Sequence, residues 1–125
     1  MNFLPLFFIS VGLVLPLGLN GNVIELTDAN FDEITSQNKI IVKFYVPWCG
    51  YCLKIKNDFI SLATKLKDEN SEIQAGEVDC DKQRRACKGI KGLPTLRFYR
   101  KGSPTLYYTG PRTLNSMYTF LTTGA

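Results

Sequence analysis

Two cysteines separated by two residues, Cys49 and Cys52, are the side chains in this sequence that are best suited to chemistry. The mostly apolar run 39–46 before them predicts a buried β-strand, and the stretch after them has helical periodicity. A thiolate at a helix N-terminus is stabilised by free N–H groups and by the positive end of the helix dipole. A second thiol one turn away can close a disulfide ring and release a mixed disulfide. The pair therefore predicts thiol–disulfide exchange.

The same pair is compatible with an inert structural disulfide or with half of a zinc site. Structural zinc takes four Cys or His ligands at characteristic spacings. The chain has no histidine, and six residues separate the other two cysteines, Cys80 and Cys87. We therefore expect no metal and no cofactor. Without histidine, Cys–His nucleophile pairs and Ser–His–Asp hydrolysis are excluded. A non-catalytic, chaperone-like peptide-binding module with an idle disulfide remains the alternative to an enzyme, and the reactivity of Cys49 at neutral pH distinguishes the two.

The four cysteines allow three disulfide pairings. We expect Cys49–Cys52 and Cys80–Cys87, because both of these pairs are local. For the second pair, a structural disulfide is favoured over free buried thiols and over a second redox-active pair. Four cysteines in a secreted chain indicate an oxidising compartment.

The N-terminal segment is the reason to predict secretion. Residues 3–15 form an apolar run without a charged side chain, which is typical of the core of a signal peptide. We assign residues 1–21 as signal peptide, with cleavage at about 18–22, and residues 22–125 as one domain of ordinary size. The alternative is an uncleaved membrane anchor, but the run is short for a span of about 20 residues, and no stable membrane insertion is expected.

The charge on the chain is modest. Fifteen basic and 11 acidic residues give a formal net charge of +4. The basic residues are densest in one segment, which contains Lys82, Arg84, Arg85, Lys88 and Lys91. A nucleic-acid interface would need a longer basic face with interleaved aromatic residues. We therefore interpret the cluster as a solvated surface and expect no nucleic-acid partner.

Periodicity predicts alternating strands and helices along the chain. Strands are predicted at 23–26, 39–46, 72–78, 95–99 and 106–109, and helices at 30–34, 49–66, 81–88 and 113–121. A hairpin turn is predicted at 101–104. The order βαβαβαββα indicates one mixed sheet with helices on both faces.

With its motifs placed on these elements, the sequence resembles a thioredoxin-fold domain, and more closely a catalytic domain of the protein disulfide isomerase family. The resemblance runs from about residue 23 to 121. It rests on the stretches 44–52 (FYVPWCGYC), 77–80 (EVDC), 89–96 (GIKGLPTL) and 108–112 (YTGPR). It implies the α/β thioredoxin fold, in which a central mixed β-sheet is flanked by helices on both faces.

The resemblance also implies roles for the matched residues. Cys49 would be the nucleophile, and Cys52 the thiol that resolves the mixed disulfide. Pro94 would be the cis-proline that faces the disulfide, an assignment that chemistry also favours because cis peptide bonds are essentially confined to proline. Arg112 would be an arginine that tunes the resolving thiol.

The implied substrate groove surrounds the active-site disulfide and would bind an extended apolar peptide. Its residues would be Trp48, Gly50, Tyr51, Leu93 and Pro94. For Trp48, a place in the hydrophobic core is the alternative, since its ring carries a large apolar area. Tyr51 is expected to be exposed.

Two departures from the family pattern concern the charge near the thiols. The family usually has histidine where this chain has Tyr51, so we expect the pKa of Cys49 to be lowered less and the disulfide to be less oxidising. Lys43 stands where the family has a buried acid, and Glu77 stands where it has a lysine. We interpret these two as one charge pair of swapped polarity that can still relay a proton, because a buried lysine shifts its pKa readily.

Together these features predict a protein disulfide isomerase or thiol–disulfide oxidoreductase that assists the folding of secretory proteins in the lumen of the endoplasmic reticulum. Its expected partners are unfolded or disulfide-bearing secretory proteins, with glutathione or an oxidase as redox partner, and it is expected to be a monomer. Residues 122–125 contain no Lys-Asp-Glu-Leu type retrieval signal, so secretion is the alternative localisation.

Overall fold

The computed structural model describes residues 21–123, which form five strands and three helices. In chain order they are β1 Ile24–Glu25, α1 Phe31–Gln37, β2 Lys39–Tyr45, α2 Gly50–Asp68, β3 Ile73–Asp79, β4 Thr95–Arg100, β5 Ser103–Tyr108 and α3 Leu114–Thr122. The predicted signal peptide, residues 1–21, lies outside the described residues except for Gly21. Within 21–123, no helix combines the length and the apolar character that crossing a membrane requires.

The five strands form one mixed sheet in the order β1-β3-β2-β4-β5. The strands β1, β3 and β2 run parallel, and β4 and β5 are added antiparallel to their neighbours. The central strand β2 pairs with β3 on one side and β4 on the other, and its residues from Ile40 to Phe44 are all buried.

Alternate residues of β2 contribute to two separate cores, because successive side chains of a strand point to opposite faces of the sheet. Ile41 belongs to the core that contains Phe59 of α2 and Met117 of α3. Phe44 belongs to the other core, where the Phe31 ring of α1 lies 5.9 Å from its own ring. The helices α2 and α3 thus cover one face and α1 the other, so the predicted architecture is confirmed.

Helix α2 is amphipathic at the spacing that the sequence predicts. Its buried side chains recur every three or four residues: Cys52, Ile55, Phe59, Leu62, Ala63 and Leu66. Cys49 is the N-cap residue, and its side chain accepts a hydrogen bond from the backbone N–H of Cys52. At the other end, the chain leaves the helix at Asn70, whose φ of 54° lies in the left-handed region that commonly ends helices.

The helix predicted at 81–88 is wrong, because these residues form a series of turns. In a helix, each backbone N–H bonds to the carbonyl four residues back. Here the backbone N–H of Ala86 donates instead to the Asp28 carboxylate at 2.7 Å, and the Arg85 side chain donates to the backbone carbonyl of Asp28. The bond to Asp28 thus interrupts the helical pattern, of which the Gln83 and Cys87 N–H groups keep a bond to the carbonyl four residues back.

The β4–β5 hairpin is tighter than predicted. Arg100 pairs with Ser103, so the connection is only Lys101 and Gly102, and β5 begins three residues before its predicted start. Gly102 has a φ of 76°, a conformation that glycine adopts at little cost. Pro104 was expected in the turn but lies in β5, where it is tolerated because β5 is an edge strand.

The two faces of α2 predict different outcomes for the same substitution. Leu62 is completely buried, whereas Leu53 is 58% exposed. We expect Leu62→Ala to lower the free energy of unfolding by about 2–5 kcal/mol, because it leaves a cavity in the core. The matched control Leu53→Ala should change it by less than about 0.5 kcal/mol. Urea unfolding followed by circular dichroism measures both, and equal losses would contradict the orientation of the helix.

Candidate active site

The two thiols lie where β2 ends and α2 begins. Cys49 has the extended backbone of an N-cap residue (φ −86°, ψ 121°), and its Sγ atom accepts a hydrogen bond from the Cys52 backbone N–H at 3.1 Å. Both thiols are free, so of the two expected disulfides this structure contains Cys80–Cys87 and not Cys49–Cys52. Cys49 is half-buried, whereas Cys52 is only 3% exposed. The helix start therefore presents one sulfur to solvent and keeps the other inside the protein.

The surroundings of the two thiols move their pKa values apart. Hydrogen bonds lower the pKa of Cys49: the largest contribution comes from the Cys52 thiol, and smaller ones come from the backbone N–H groups of Cys52 and Tyr51. Burial is the main reason why the pKa of Cys52 rises to about 11, and the hydrogen bond to Cys49 adds to it. Cys49 therefore ionises first and is the better nucleophile at neutral pH.

The loop before β4 approaches the Cys49 sulfur from the other side. The Leu93–Pro94 peptide bond is cis, and the Cys49 thiol donates to the Leu93 carbonyl oxygen at 3.9 Å. Arg112 donates from Nη2 to the Pro94 carbonyl oxygen at 3.2 Å. The structure thus brings these four predicted site residues together, and the hydrogen bond of Arg112 goes to the loop rather than to Cys52.

A groove of about 540 Å³ opens beside Cys49. Its lining is Val46, Trp48, Cys49, Cys80, Arg84, Cys87, Ile90, Lys91, Gly92 and Leu93. Trp48 is 74% exposed, so the alternative of a core position for this residue is wrong. Its Nε1 atom donates to the Asp81 carboxylate at 2.7 Å, which holds the ring in place at the edge of the groove.

Three of the residues expected in the groove are absent from its lining. Gly50 begins α2, and Tyr51 is 71% exposed with the Lys54 ammonium 5.2 Å from the centre of its ring. Pro94, which follows Leu93 in the sequence, is buried, and its carbonyl oxygen accepts the hydrogen bond from Arg112. The turns after β3 therefore supply more of the groove's lining than the start of α2 does.

The second cysteine pair lines the groove, a location that the sequence did not predict. The sulfur atoms of Cys80 and Cys87 are 2.07 Å apart and bonded, and both residues line the groove. Their local spacing signalled the pairing but not the location. In the described range 21–123, no three His, Cys, Asp or Glu side chains come together in a way that could hold a metal ion.

Lys43 and Glu77 form an ion pair inside the protein. The Lys43 Nζ and Glu77 Oε1 atoms are 3.1 Å apart, and the side chains are only 4% and 6% exposed. The two residues are direct neighbours in the register of β2 and β3, so both side chains project from the same face of the sheet. The Lys43 ammonium also lies 5.1 Å from the centre of the Phe59 ring, a favourable cation–π distance.

A small cavity of about 180 Å³ joins this ion pair to the buried thiol. Lys43, Glu77 and Cys52 all line it, together with Tyr45, whose importance the sequence did not reveal. The Lys43 charge lowers the pKa of Cys52, but by less than burial raises it. Burial, and then the negative charge of Glu77, raise the pKa of Tyr45, which keeps its hydroxyl protonated.

Comparison with known proteins gives a consistent result. The sequence model of the family described as Thioredoxin matches residues 22–123. The chain is 37% identical over 102 residues to a probable protein disulfide-isomerase ER-60 of Schistosoma mansoni, covering 79% of this chain and 21% of that protein. It is 32% identical over 118 residues to protein disulfide-isomerase 1 of Dictyostelium discoideum, covering 90% of this chain and 32% of that protein. The chain thus spans a third or less of the length of these curated relatives.

Solved structures with the same fold include individual domains of multi-domain proteins. The Trx4 domain of ERdj5 superposes with a TM-score of 0.74 at 26% identity, over 83% of this chain and 96% of that domain. The first thioredoxin domain of mouse protein disulfide-isomerase A4 gives a TM-score of 0.69 at 26% identity, over 80% of this chain and 73% of that one.

The separation of the two pKa values predicts how the reduced protein reacts with iodoacetamide. Cys49 should be alkylated first, with a half-maximal rate at a pH below the ordinary cysteine pKa of about 8.5, while Cys52 stays unmodified at pH 8. In Cys52→Ala, the midpoint for Cys49 should move to higher pH, because the main hydrogen bond to its thiolate is lost. Peptide mapping by mass spectrometry measures both rates. Equal alkylation of the two cysteines at pH 8 would refute this assignment.

Proposed function

The chain belongs to the thioredoxin family, and we propose that it is a thiol–disulfide oxidoreductase that acts on unfolded secretory proteins as an oxidase and isomerase of their disulfides. The observation that carries the proposal is the contrast between a half-buried thiol of lowered pKa, Cys49, and a buried thiol of raised pKa, Cys52. A purely structural disulfide has no need of such a contrast. The groove beside Cys49 supplies a place for the substrate chain.

In the first step, the Cys49 thiolate attacks one sulfur of a substrate disulfide. The substrate S–S bond breaks, a mixed disulfide with Cys49 forms, and the second substrate sulfur leaves as a thiolate that takes a proton from water. The backbone N–H of Cys52, 3.1 Å from the Cys49 sulfur, favours negative charge on that atom. When the enzyme instead oxidises a substrate, the same hydrogen bond makes Cys49 a good leaving group, because a second substrate thiolate then displaces it from the mixed disulfide.

In the second step, Cys52 loses its proton and attacks the Cys49 sulfur. The mixed disulfide breaks, the substrate leaves as a thiolate, and the Cys49–Cys52 disulfide closes, so that the substrate has gained two electrons. In the opposite direction the enzyme disulfide accepts two electrons from substrate thiols, and glutathione disulfide or an oxidase then restores it. A thiol of pKa about 11 needs help to ionise at neutral pH.

We assign that help to the buried ion pair. The Lys43 ammonium favours the Cys52 thiolate, and Glu77 is the acceptor that can take up the proton across the shared cavity. The polarity is opposite to the family pattern, but an ion pair offers one acidic and one basic group in either arrangement. Arg112 acts on the same step indirectly, by holding the Pro94 loop against the thiols.

The setting we propose is the lumen of the endoplasmic reticulum, with secretion as the alternative. It is supported by the predicted signal peptide at 1–21, by the disulfide between Cys80 and Cys87, and by the names of the relatives, which are protein disulfide isomerases. In this proposal the domain is monomeric, needs no cofactor, and uses Trp48 and Leu93 as walls of the peptide groove.

The first test is the reduction potential of the Cys49–Cys52 pair, measured by equilibrating the protein with glutathione buffers. A value near about −180 mV, that of protein disulfide isomerase, supports an oxidase or isomerase, whereas a value near thioredoxin's about −270 mV indicates a reductase. Cys52→Ala should trap a mixed disulfide with an unfolded client protein that carries a disulfide, and Cys49→Ala should trap none. No exchange in any buffer would leave only a peptide-binding module.

The role of the ion pair predicts a pH-dependent defect. Lys43→Ala and Glu77→Ala should slow the release of substrate from the Cys49 mixed disulfide at pH 7, and the difference from wild type should shrink near pH 11, where Cys52 ionises without help. Stopped-flow release of a chromophoric thiol measures this step. A loss that is equal at all pH values would indicate a merely structural role.

A fold-safe control is needed because removing one member of a buried ion pair costs about 3–5 kcal/mol of stability. The double variant Lys43→Met with Glu77→Leu keeps the volume and removes both charges, a change that is often neutral for stability. It should unfold at a urea concentration close to that of wild type and still show the slow release at pH 7. Wild-type release rates in this variant would refute the assignment.

A further inference from the structure

The net charge of this protein is concentrated in one short segment. Residues 80–92 contain five basic residues and one acidic residue, and the rest of the chain contains ten of each, so this segment accounts for the whole net charge of +4. The segment is the run of turns between β3 and β4, and it forms one wall of the groove beside Cys49. The cluster that the sequence suggests is merely solvated therefore lies next to the reactive thiol.

Two of these cations face the groove without a partner of their own. Arg84 and Lys91 line the groove and are exposed, and neither takes part in an ion pair among residues 21–123. The single acid of the segment, Asp81, is occupied by the indole N–H of Trp48 at 2.7 Å. Arg85, by contrast, is bound to the backbone carbonyl of Asp28. The lining of the groove thus contains two cations and no acidic side chain, while Asp81 keeps its negative charge beside Trp48.

Apolar surface lies directly beside these cations. Trp48, Leu93 and Ile90 line the same groove, and the Trp48 ring is largely exposed. An arginine guanidinium offers a planar set of donors that fits a carboxylate, while lysine offers a point charge at the end of a flexible chain. A polypeptide with an apolar side chain and a nearby acid would satisfy both parts of the groove.

We propose that this groove selects disulfides of polypeptides that carry Asp or Glu close to the reacting cysteine. The inference rests on the proposed function, since it names the substrate class of that same site. Arg84 and Lys91 draw in the carboxylate and hold it while Cys49 attacks the neighbouring sulfur, and the apolar wall holds the adjacent side chain. Complementary charge of this kind raises the rate of encounter most strongly at low salt.

The experiment uses three peptides that differ only in the residues flanking one cysteine, which is joined as a mixed disulfide to a chromophoric thiol. The flanking residues are Glu, Gln or Lys, and the rate of chromophore release gives kcat/KM. Wild type should prefer the Glu peptide over the Lys peptide by on the order of fivefold at low salt, about what one exposed ion pair can contribute. Salt at 1 M should remove most of that preference.

Charge reversal then locates the preference. Arg84→Glu with Lys91→Glu should reverse the order of the Glu and Lys peptides. Lys101→Glu with Lys67→Glu, which makes the same change of charge at exposed positions outside the groove, should leave the order intact. Alkylation of Cys49 by uncharged iodoacetamide, measured in both double variants, corrects each release rate for any change in the reactivity of the thiol itself.

The outcomes separate this inference from the proposed function. No release from any peptide would overturn the proposed function and the inference together. Equal rates for the three peptides would overturn the inference alone, because exchange would then occur without selection by charge. A preference for Glu that survives Arg84→Glu with Lys91→Glu would also overturn it, since the charge would act from elsewhere.

Discussion

The register of the central strand β2 is the constraint on which the rest of the site depends. In this register, Tyr45 of β2 lies opposite Asp79, the last residue of β3. Phe44 of β2 lies opposite Thr95, the first residue of β4. The end of β2, the end of β3 and the start of β4 therefore meet at one edge of the sheet. This meeting point brings together the Cys49 thiol, the turns after β3 and the cis Leu93–Pro94 bond, although they lie far apart in the sequence.

The same register places a charge inside the protein. An ammonium group in the middle of a buried strand is costly unless it is paired, and Glu77 is the direct neighbour of Lys43 on β3. Such a pair is weak evidence for stability, because apolar residues of similar volume often serve as well. Its position beside the cavity that Cys52 lines suits the proton transfer that we propose for it, which apolar residues could not perform.

In the function that we propose, different parts of the chain carry reactivity and recognition. The junction of β2 and α2 supplies the thiols and the hydrogen bonds that separate their pKa values. The turns after β3 supply the opposite wall of the groove, and three connections hold them: the Cys80–Cys87 disulfide, the bond from Ala86 to Asp28, and the bond from Trp48 to Asp81. We therefore expect substitutions in this wall to change the preferred substrate and to leave the chemistry of the thiols unchanged.

The sequence by itself determined the features that depend on residues close together in the chain, because these follow from spacing and local preference. They are the Cys49–Cys52 pair at a helix start, the apolar periodicity of α2, and the strands around them. It misassigned 81–88 as a helix, since the Asp28 carboxylate that claims the Ala86 N–H lies 58 residues away in the sequence. It also missed Tyr45 and the place of the second disulfide in the groove. Only the tertiary structure decided these, because strand register and long-range hydrogen bonds, rather than local patterns, bring those groups to the thiols.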